Sequence, residues 1–276
     1  MSPEAAPTDA VPTDAAEAIA GLLLVRPAPG VAELRLNRPE KLNALDEATY
    51  AALTEACHRL HEDASVRAVI LSGAGRGFCS GSDVGAMLQT TGPAARARLQ
   101  RRHAAVQALY RIEKPVIAAV HGPVAGIGFS LAMASDLILA AEGTYFQQAF
   151  TNVGLVPDGG AIFFMAQRLG IGRAKDLVMS ARRLDAAEAL DWGVVNRVVP
   201  PDALADEALA LAVQLAAAPT YVLGLAKKMF AASCAPALET VLEIESFAAS
   251  VARASHDHRE GVMAFREKRK PQFLGE

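Results

Sequence analysis

The sequence predicts an α/β fold whose C-terminal part is helical throughout. Three features predict it: short apolar or β-branched runs that stop at glycine, amphipathic segments between those runs, and helical periodicity from Asp202 to about Arg269. Met1–Ala18 is rich in Ala, Pro, Thr and Asp, lacks a basic start and carries Glu4, Asp9, Asp14 and Glu17, so it reads as a disordered leader and not as a secretory signal. Leu22–Val25 and Val31–Leu36 read as paired strands around the turn at Pro29–Gly30. Asp46 is placed to cap a helix running to about Leu60. Val66–Leu71 is a buried strand ending in Ser72-Gly73. Pro93–Ile112 is a helix with Arg96, Arg98, Arg101 and Arg102 on a solvent-facing surface. Pro115–Val120 is a second buried strand, and the small residues of Gly126–Ser135 suit a closely packed helix. Leu137–Ala140, Tyr145–Gln147 and Val194–Val199 complete the strands. The division is therefore a leader over 1–18, an α/β core over 19–200 and a helical region over 201–276. No fixed-period repeat is visible.

The 276 residues, 52% of them hydrophobic, suffice for one large domain with a sizeable core. A net charge of −3 offers no general reason to expect nucleic acid. The apolar stretches are broken well before the ~20 residues a membrane span needs. Three widely spaced cysteines, Cys57, Cys79 and Cys234, form neither a disulfide framework nor a metal pattern, which suits a reducing, cytoplasmic setting. His58 with His61, and His256 with His258, lack further ligands, so no metal site is expected. The apolar helical stretch Ala203–Ala254 is too large for its own core to cover, which points to oligomerisation through these helices.

Two glycine-rich segments follow strands: Ser72–Asp83 and His121–Gly128. Each frees backbone N–H groups just before a helix, where unpaired donors and a partial positive charge accumulate. Two such ends converging could hold one negative oxygen. A phosphate loop is excluded because the first segment lacks Gly-Lys-Ser/Thr, and the second lacks the third glycine of a dinucleotide fingerprint.

Several motifs then occur in order: Asn37-Arg38-Pro39-Glu40-Lys41-Leu42-Asn43-Ala44-Leu45, Gly75 through Asp83, Val120 through Gly128 with Ala134-Ser135-Asp136, and Arg259 through Phe265 with Glu267-Lys268-Arg269. Together, over about Leu22 to Phe273, they resemble the enoyl-CoA hydratase/isomerase (crotonase) superfamily. The resemblance implies a spiral of ββα units with a C-terminal helical region, assembled as a homotrimer or dimer of trimers. It implies an acyl-CoA thioester substrate, with coenzyme A part of that substrate and no separate cofactor. It assigns the oxyanion-binding N–H groups to Ser82 and Ile127. Beside them it implies Ser80, Asp83 and Gly126 as substrate-binding residues, and Lys41, Phe265 and Lys268 would hold the CoA nucleotide, the last two in some relatives from a neighbouring subunit. Isoleucine at 127, where glycine is common, is expected to narrow the pocket.

Hydratases of this superfamily use two glutamates, and here Ser130 and Phe150 stand at those positions. Asp158, in Val153-Gly154-Leu155-Val156-Pro157-Asp158-Gly159-Gly160, occupies a position where dienoyl-CoA isomerases and the phenylacetate-pathway ring-epoxide isomerases carry a working aspartate. One base suffices to remove a proton at one carbon and return it at another. An isomerase is therefore expected. A hydratase using Asp158 and a water held by other groups is the close alternative, and a degenerate acyl-CoA binding protein is the non-enzymatic one. By residue type alone, Pro-Asp-Gly is also an ordinary turn with Asp as a helix cap.

Overall fold

The computed structural model of the chain describes residues 16–83, 85, 92–232 and 238–272. Cys234, Phe273 and all but the end of the expected leader lie outside the described residues. Where the leader was expected to continue, Glu17–Ile19 forms strand β1 instead, pairing with β2 (Leu22–Ala28), and Glu17 is bound by Arg59 at 2.7 Å.

β2 pairs antiparallel with β3 (Val31–Leu36), and β3 is followed in parallel by β4 (Ala68–Gly73), β5 (Val116–Val120), β7 (Leu137–Ala141) and β10 (Arg197–Val199), giving one seven-stranded sheet. A second, three-stranded sheet joins β6 (Pro123–Ala125), β8 (Tyr145–Gln147) and β9 (Arg183–Asp185). A bridge from Cys79 to Val124 extends that small sheet toward the loop after β4. The chain thus repeats one step: a strand in the large sheet, a short pairing in the small one, then a helix. That step recurs as β5–β6–α3 (Ile127–Ala134) and as β7–β8 followed by α4 (Ala161–Ser180). The repeat is structural and leaves no periodic sequence trace.

The expected strands and helices are present with small shifts. The β4 strand begins at Ala68 because the Arg67 N–H turns to the Gly30 carbonyl. Val194 and Val195 leave the last strand because both N–H groups close the short helix α5 (Ala186–Asp191) at Ala189. Asp46 caps α1 (Glu47–Glu62) as expected, accepting from the Thr49 N–H at 2.8 Å, a cap worth about 1 kcal/mol. β6, β9 and α5 are too short to register as periodic patterns, and α4 is interrupted by Gly170 in a non-helical conformation.

One face of the large sheet packs on α1, α2 (Gly92–Tyr110), α3 and α4 around Leu34, Leu53, Leu71, Val106, Phe129 and Phe146. The other is sealed by α6 (Leu204–Ala217), whose Leu204, Ala208, Leu211 and Ala212 lie on Ile70, Ile117 and Leu139. Parallel strands buried on both faces explain the near-continuous apolar runs. After α7 (Thr220–Ala232), α8 (Leu238–Ala254) lies against α2 and the start of α4, and α9 (His256–Arg266) against the turn at Thr151–Val153. Among the described residues, no single helix is long and apolar enough to cross a membrane.

One expectation is reversed. Arg98 and Arg102 face inward, 6% and 1% exposed, while Arg96 and Arg101 stay at the surface. Glu47 at the start of α1 receives the buried pair, with Arg98 Nε at 2.5 Å and Arg102 Nε at 3.3 Å from its Oε1. A carboxylate one helix away makes burial of two guanidiniums tolerable.

Candidate active site

The two glycine-rich segments meet. Ser80 donates through its hydroxyl to the Lys41 carbonyl at 3.3 Å, and Leu45 pairs with Ser82, anchoring the first loop against the segment after β3. The second loop lies alongside it: a Cβ on Gly126 would stand 3.8 Å from the Gly81 Cα, and one on Gly128 only 2.6 Å from the Cys79 Cβ. Any larger residue at 128 would push the loops apart. Ile127 is the first residue of α3, so its N–H has no carbonyl within the helix. The neighbours of Ser82 are tied, with Leu45 N–H on the Gly81 carbonyl and Asp83 N–H on the Leu45 carbonyl. Among the described residues, neither the Ser82 nor the Ile127 N–H meets an acceptor. Two free donors on abutting loops, one at a helix N-terminus, can stabilise a developing oxyanion.

The Ile127 side chain does not line that space. It is fully buried in the main core, and its Cδ1 would lie 2.1 Å from a Cβ placed on Gly159. Isoleucine here supports the turn that carries Asp158 and does not narrow a pocket. Phe150 packs on Leu155 beside Gly126. Ser130 is fully buried and donates to the Asp158 carbonyl at 3.0 Å. Phe150 is thus a wall beside Gly126, and Ser130 an anchor for the Asp158 turn.

Asp158 is 4% exposed, immediately before α4, and its Oδ1 has no hydrogen-bond partner among the described residues. Burial pushes its carboxyl above the usual range, against the opposing charges of Arg102 and Arg253. Tyr50 links Asp158 to the first loop: its hydroxyl is 2.8 Å from the Ser82 Oγ, the Asp158 charge reaches it, and Arg102 lies 5.2 Å from its ring centre. Burial raises the Tyr50 phenol as well, so it stays protonated. Cys79 is a buried thiol pushed up to about 12 by burial, which makes it a packing residue and no nucleophile.

Of the other expected residues, Asp83 accepts from the Gly85 N–H at 2.9 Å and faces Arg38 at 3.5 Å. Gly126 donates to the Gln147 carbonyl at 2.9 Å. Lys41, Ser80, Ser82, Asp83, Gly126 and Ile127 therefore form one neighbourhood, with Asp158 behind it. Phe265 and Lys268 lie exposed at the end of α9 and just beyond it, with no hydrogen bond to these loops among the described residues. A separate cleft of about 990 Å³ is lined by Tyr110, Asp136, Phe163, Phe164, Lys227 and Phe230 and contains none of the expected site residues.

Sequence reasoning missed Tyr50, Arg102, Arg253, His103 and Glu245. A signal existed for Glu245 and Arg253. Leu242, Glu245, Ser246, Ala249 and Arg253 follow one helical stripe, so polar residues sit on the buried face of α8.

This geometry has relatives. The family profile described as enoyl-CoA hydratase/isomerase matches residues 27–276. The 1,2-epoxyphenylacetyl-CoA isomerase of Escherichia coli is 39% identical over 250 residues, 89% of this chain and 95% of that protein. A 4-chlorobenzoyl coenzyme A dehalogenase of an Arthrobacter species is 36% identical over 87% of this chain and 88% of its own length. The crystal structure of an enoyl-CoA hydratase from Mycobacterium avium subsp. paratuberculosis superposes with a TM-score of 0.85 at 34% identity, covering 93% of this chain and all of that one. With the paired sheets, the abutting glycine loops and a match over almost the whole length, the chain belongs to the enoyl-CoA hydratase/isomerase family, the crotonase superfamily of acyl-CoA enzymes.

Proposed function

We propose that this enzyme shifts a double bond in, or otherwise rearranges, an acyl-CoA thioester through an enolate, with Asp158 moving the proton. The observation that carries this reading is the buried Asp158, whose Oδ1 has no hydrogen-bond partner among the described residues; Ser130 and Phe150, which the resemblance sets at the hydratase glutamate positions, carry no carboxylate. The Ser82 and Ile127 N–H groups receive the thioester oxygen, whose charge grows as the α-proton leaves. Loss of one such donor costs on the order of 10²–10³ in rate. Asp158, with its proton affinity raised by burial, takes that proton and returns it at another carbon. The relationship to a ring-epoxide isomerase supports a ring-derived acyl group. The reaction needs no separate cofactor, since CoA arrives with the substrate and Lys41, Phe265 and Lys268 meet its nucleotide. The exposed apolar residues Tyr221, Met229 and Phe230 on α7, with Phe247 and Val251 on α8, support assembly as a trimer or dimer of trimers. The buried thiols of Cys57 and Cys79 support a reducing, cytoplasmic setting.

The test is incubation with a panel of 2-enoyl-, 3-enoyl- and dienoyl-CoA thioesters in deuterated water. Isomerisation leaves mass unchanged apart from exchanged deuterium, whereas hydration adds a water. Wild type exchanges protons at the α or γ carbon. Asp158→Asn folds and binds CoA but loses exchange, with turnover down by ~10²–10⁴. Retained exchange in the folded variant would falsify Asp158 as the base. Binding without turnover across the panel would point to an acyl-CoA binding protein.

A further inference from the structure

Three elements meet behind Gly160, and each brings a buried polar atom with no hydrogen-bond partner among the described residues: Asp158 Oδ1 before α4, Glu245 Oε1 on α8 and His103 Nε2 on α2. Glu245 is 5% exposed. Its Oε2 accepts the Gly160 N–H at 3.0 Å, closing a turn in which Gly159 and Gly160 both have positive φ, at 65° and 76°. The His103 Nε2 is 3.8 Å from that same oxygen, and its Nδ1 is 3.5 Å from the Ser246 Oγ.

Charge decides what Glu245 does there. From α2, His103 is lowered to about 4 by burial and then by the charge of Arg102, so it is neutral and supplies no countercharge. From α9, the His258 Nδ1 faces the Val153 carbonyl at 2.7 Å, and burial lowers its proton affinity too. The guanidiniums of Arg102 and of Arg253, on α8 itself, act on Asp158. Burial raises Glu245 to about 8, with the Gly160 bond acting against that rise and the Asp158 charge adding to it. Two buried carboxylates that feel one another's charge resist ionising together.

We propose that Glu245 is a positioning residue for Asp158: its bond to the Gly160 N–H holds the Asp158–Gly160 turn, and as the neutral acid it leaves the pair one negative charge, on Asp158 beside Arg102 and Arg253. Ionising Glu245 places a second buried negative charge next to the site where enolate charge develops, which raises the barrier. The inference rests on Asp158 as the base.

The experiment is the pH profile of kcat for wild type, Glu245→Gln and Glu245→Ala, alongside thermal melts. Wild-type kcat falls on the alkaline side with a midpoint near pH 8. Glutamine keeps an acceptor for the Gly160 N–H and cannot ionise, so kcat at pH 7 drops only about threefold and the alkaline fall disappears. Alanine loses the anchor, and kcat drops at least about tenfold with KM changed less than about twofold. A flat wild-type profile, an unchanged alkaline limb in Glu245→Gln, or wild-type kcat in Glu245→Ala overturns the proposal. If only the base assignment is wrong, Asp158→Asn keeps deuterium exchange. The alkaline limb is read from turnover of the Glu245 variants and is scored independently of that result.

Discussion

Ile127→Ala separates two roles for one residue. The backbone N–H remains, so the proposed oxyanion donor survives the substitution. The side chain is fully buried at the first turn of α3, and its Cδ1 supports Gly159 directly. Removing three carbons forfeits ~0.8 kcal/mol each in transfer free energy, about 2.5 kcal/mol. Incomplete collapse of the backbone turn adds a cavity term, which brings the expected loss to about 3–4 kcal/mol. Urea denaturation followed by circular dichroism, at one fixed protein concentration because oligomers unfold with mass action, measures this loss. Turnover should also fall, because the Asp158 turn loses its support, while the ranking of acyl groups by kcat/KM stays as in wild type. A loss below about 1 kcal/mol with preference moved toward bulkier acyl groups would show that the side chain faces the substrate, and the reasoning would be refuted.

Other perturbations follow from the same geometry. Tyr50→Phe removes the contact to the Ser82 Oγ and should lower kcat several-fold at a stability cost of about 1 kcal/mol, checked by steady-state kinetics and melting. Ser130→Ala releases the Asp158 carbonyl and should cost about 1–2 kcal/mol in the same melt, with kcat reduced more than KM is changed. Glu47→Gln removes the charge that Glu47 presents to the buried Arg98 and Arg102 and should destabilise by about 2 kcal/mol in urea. In wild type, burial raises the Glu47 carboxyl, but the Arg98 bond and the charges of Arg102, Arg98 and Arg101 outweigh it and hold the group below 4.5. Its stabilisation is present above pH 4.5 and lost as pH falls through the lower folded value, so Glu47→Gln should show a weaker acid dependence of melting temperature. Light scattering should report a trimer or hexamer at micromolar concentration, and a monomer would refute assembly through the C-terminal helices.

Much of this protein was legible in one dimension. Apolar runs stopping at or near glycine located β4, β5 and β7, because parallel strands covered on both faces must be apolar throughout. Asp46 announced α1, because a short carboxylate before an amphipathic run satisfies the free N–H groups of a helix start. The glycine loops were readable because backbone geometry is a local property, whereas Ser82, Ile127 and Asp158 came from the resemblance and their roles are proposals. The direction of a side chain within the packed interior is not local. Isoleucine at 127 could face the groove or the core, and only contact with Gly159 places it in the core. The four arginines of α2 look alike in sequence. Arg98 and Arg102 are buried because Glu47, 55 residues from Arg102, meets them from another helix. Glu245 reaches Gly160 across 85 residues of chain, and burial beside Asp158 sets its charge. Local pattern determined the elements and the backbone donors, whereas the ionisation and orientation of the buried groups depended on distant neighbours that only the folded chain brings within reach.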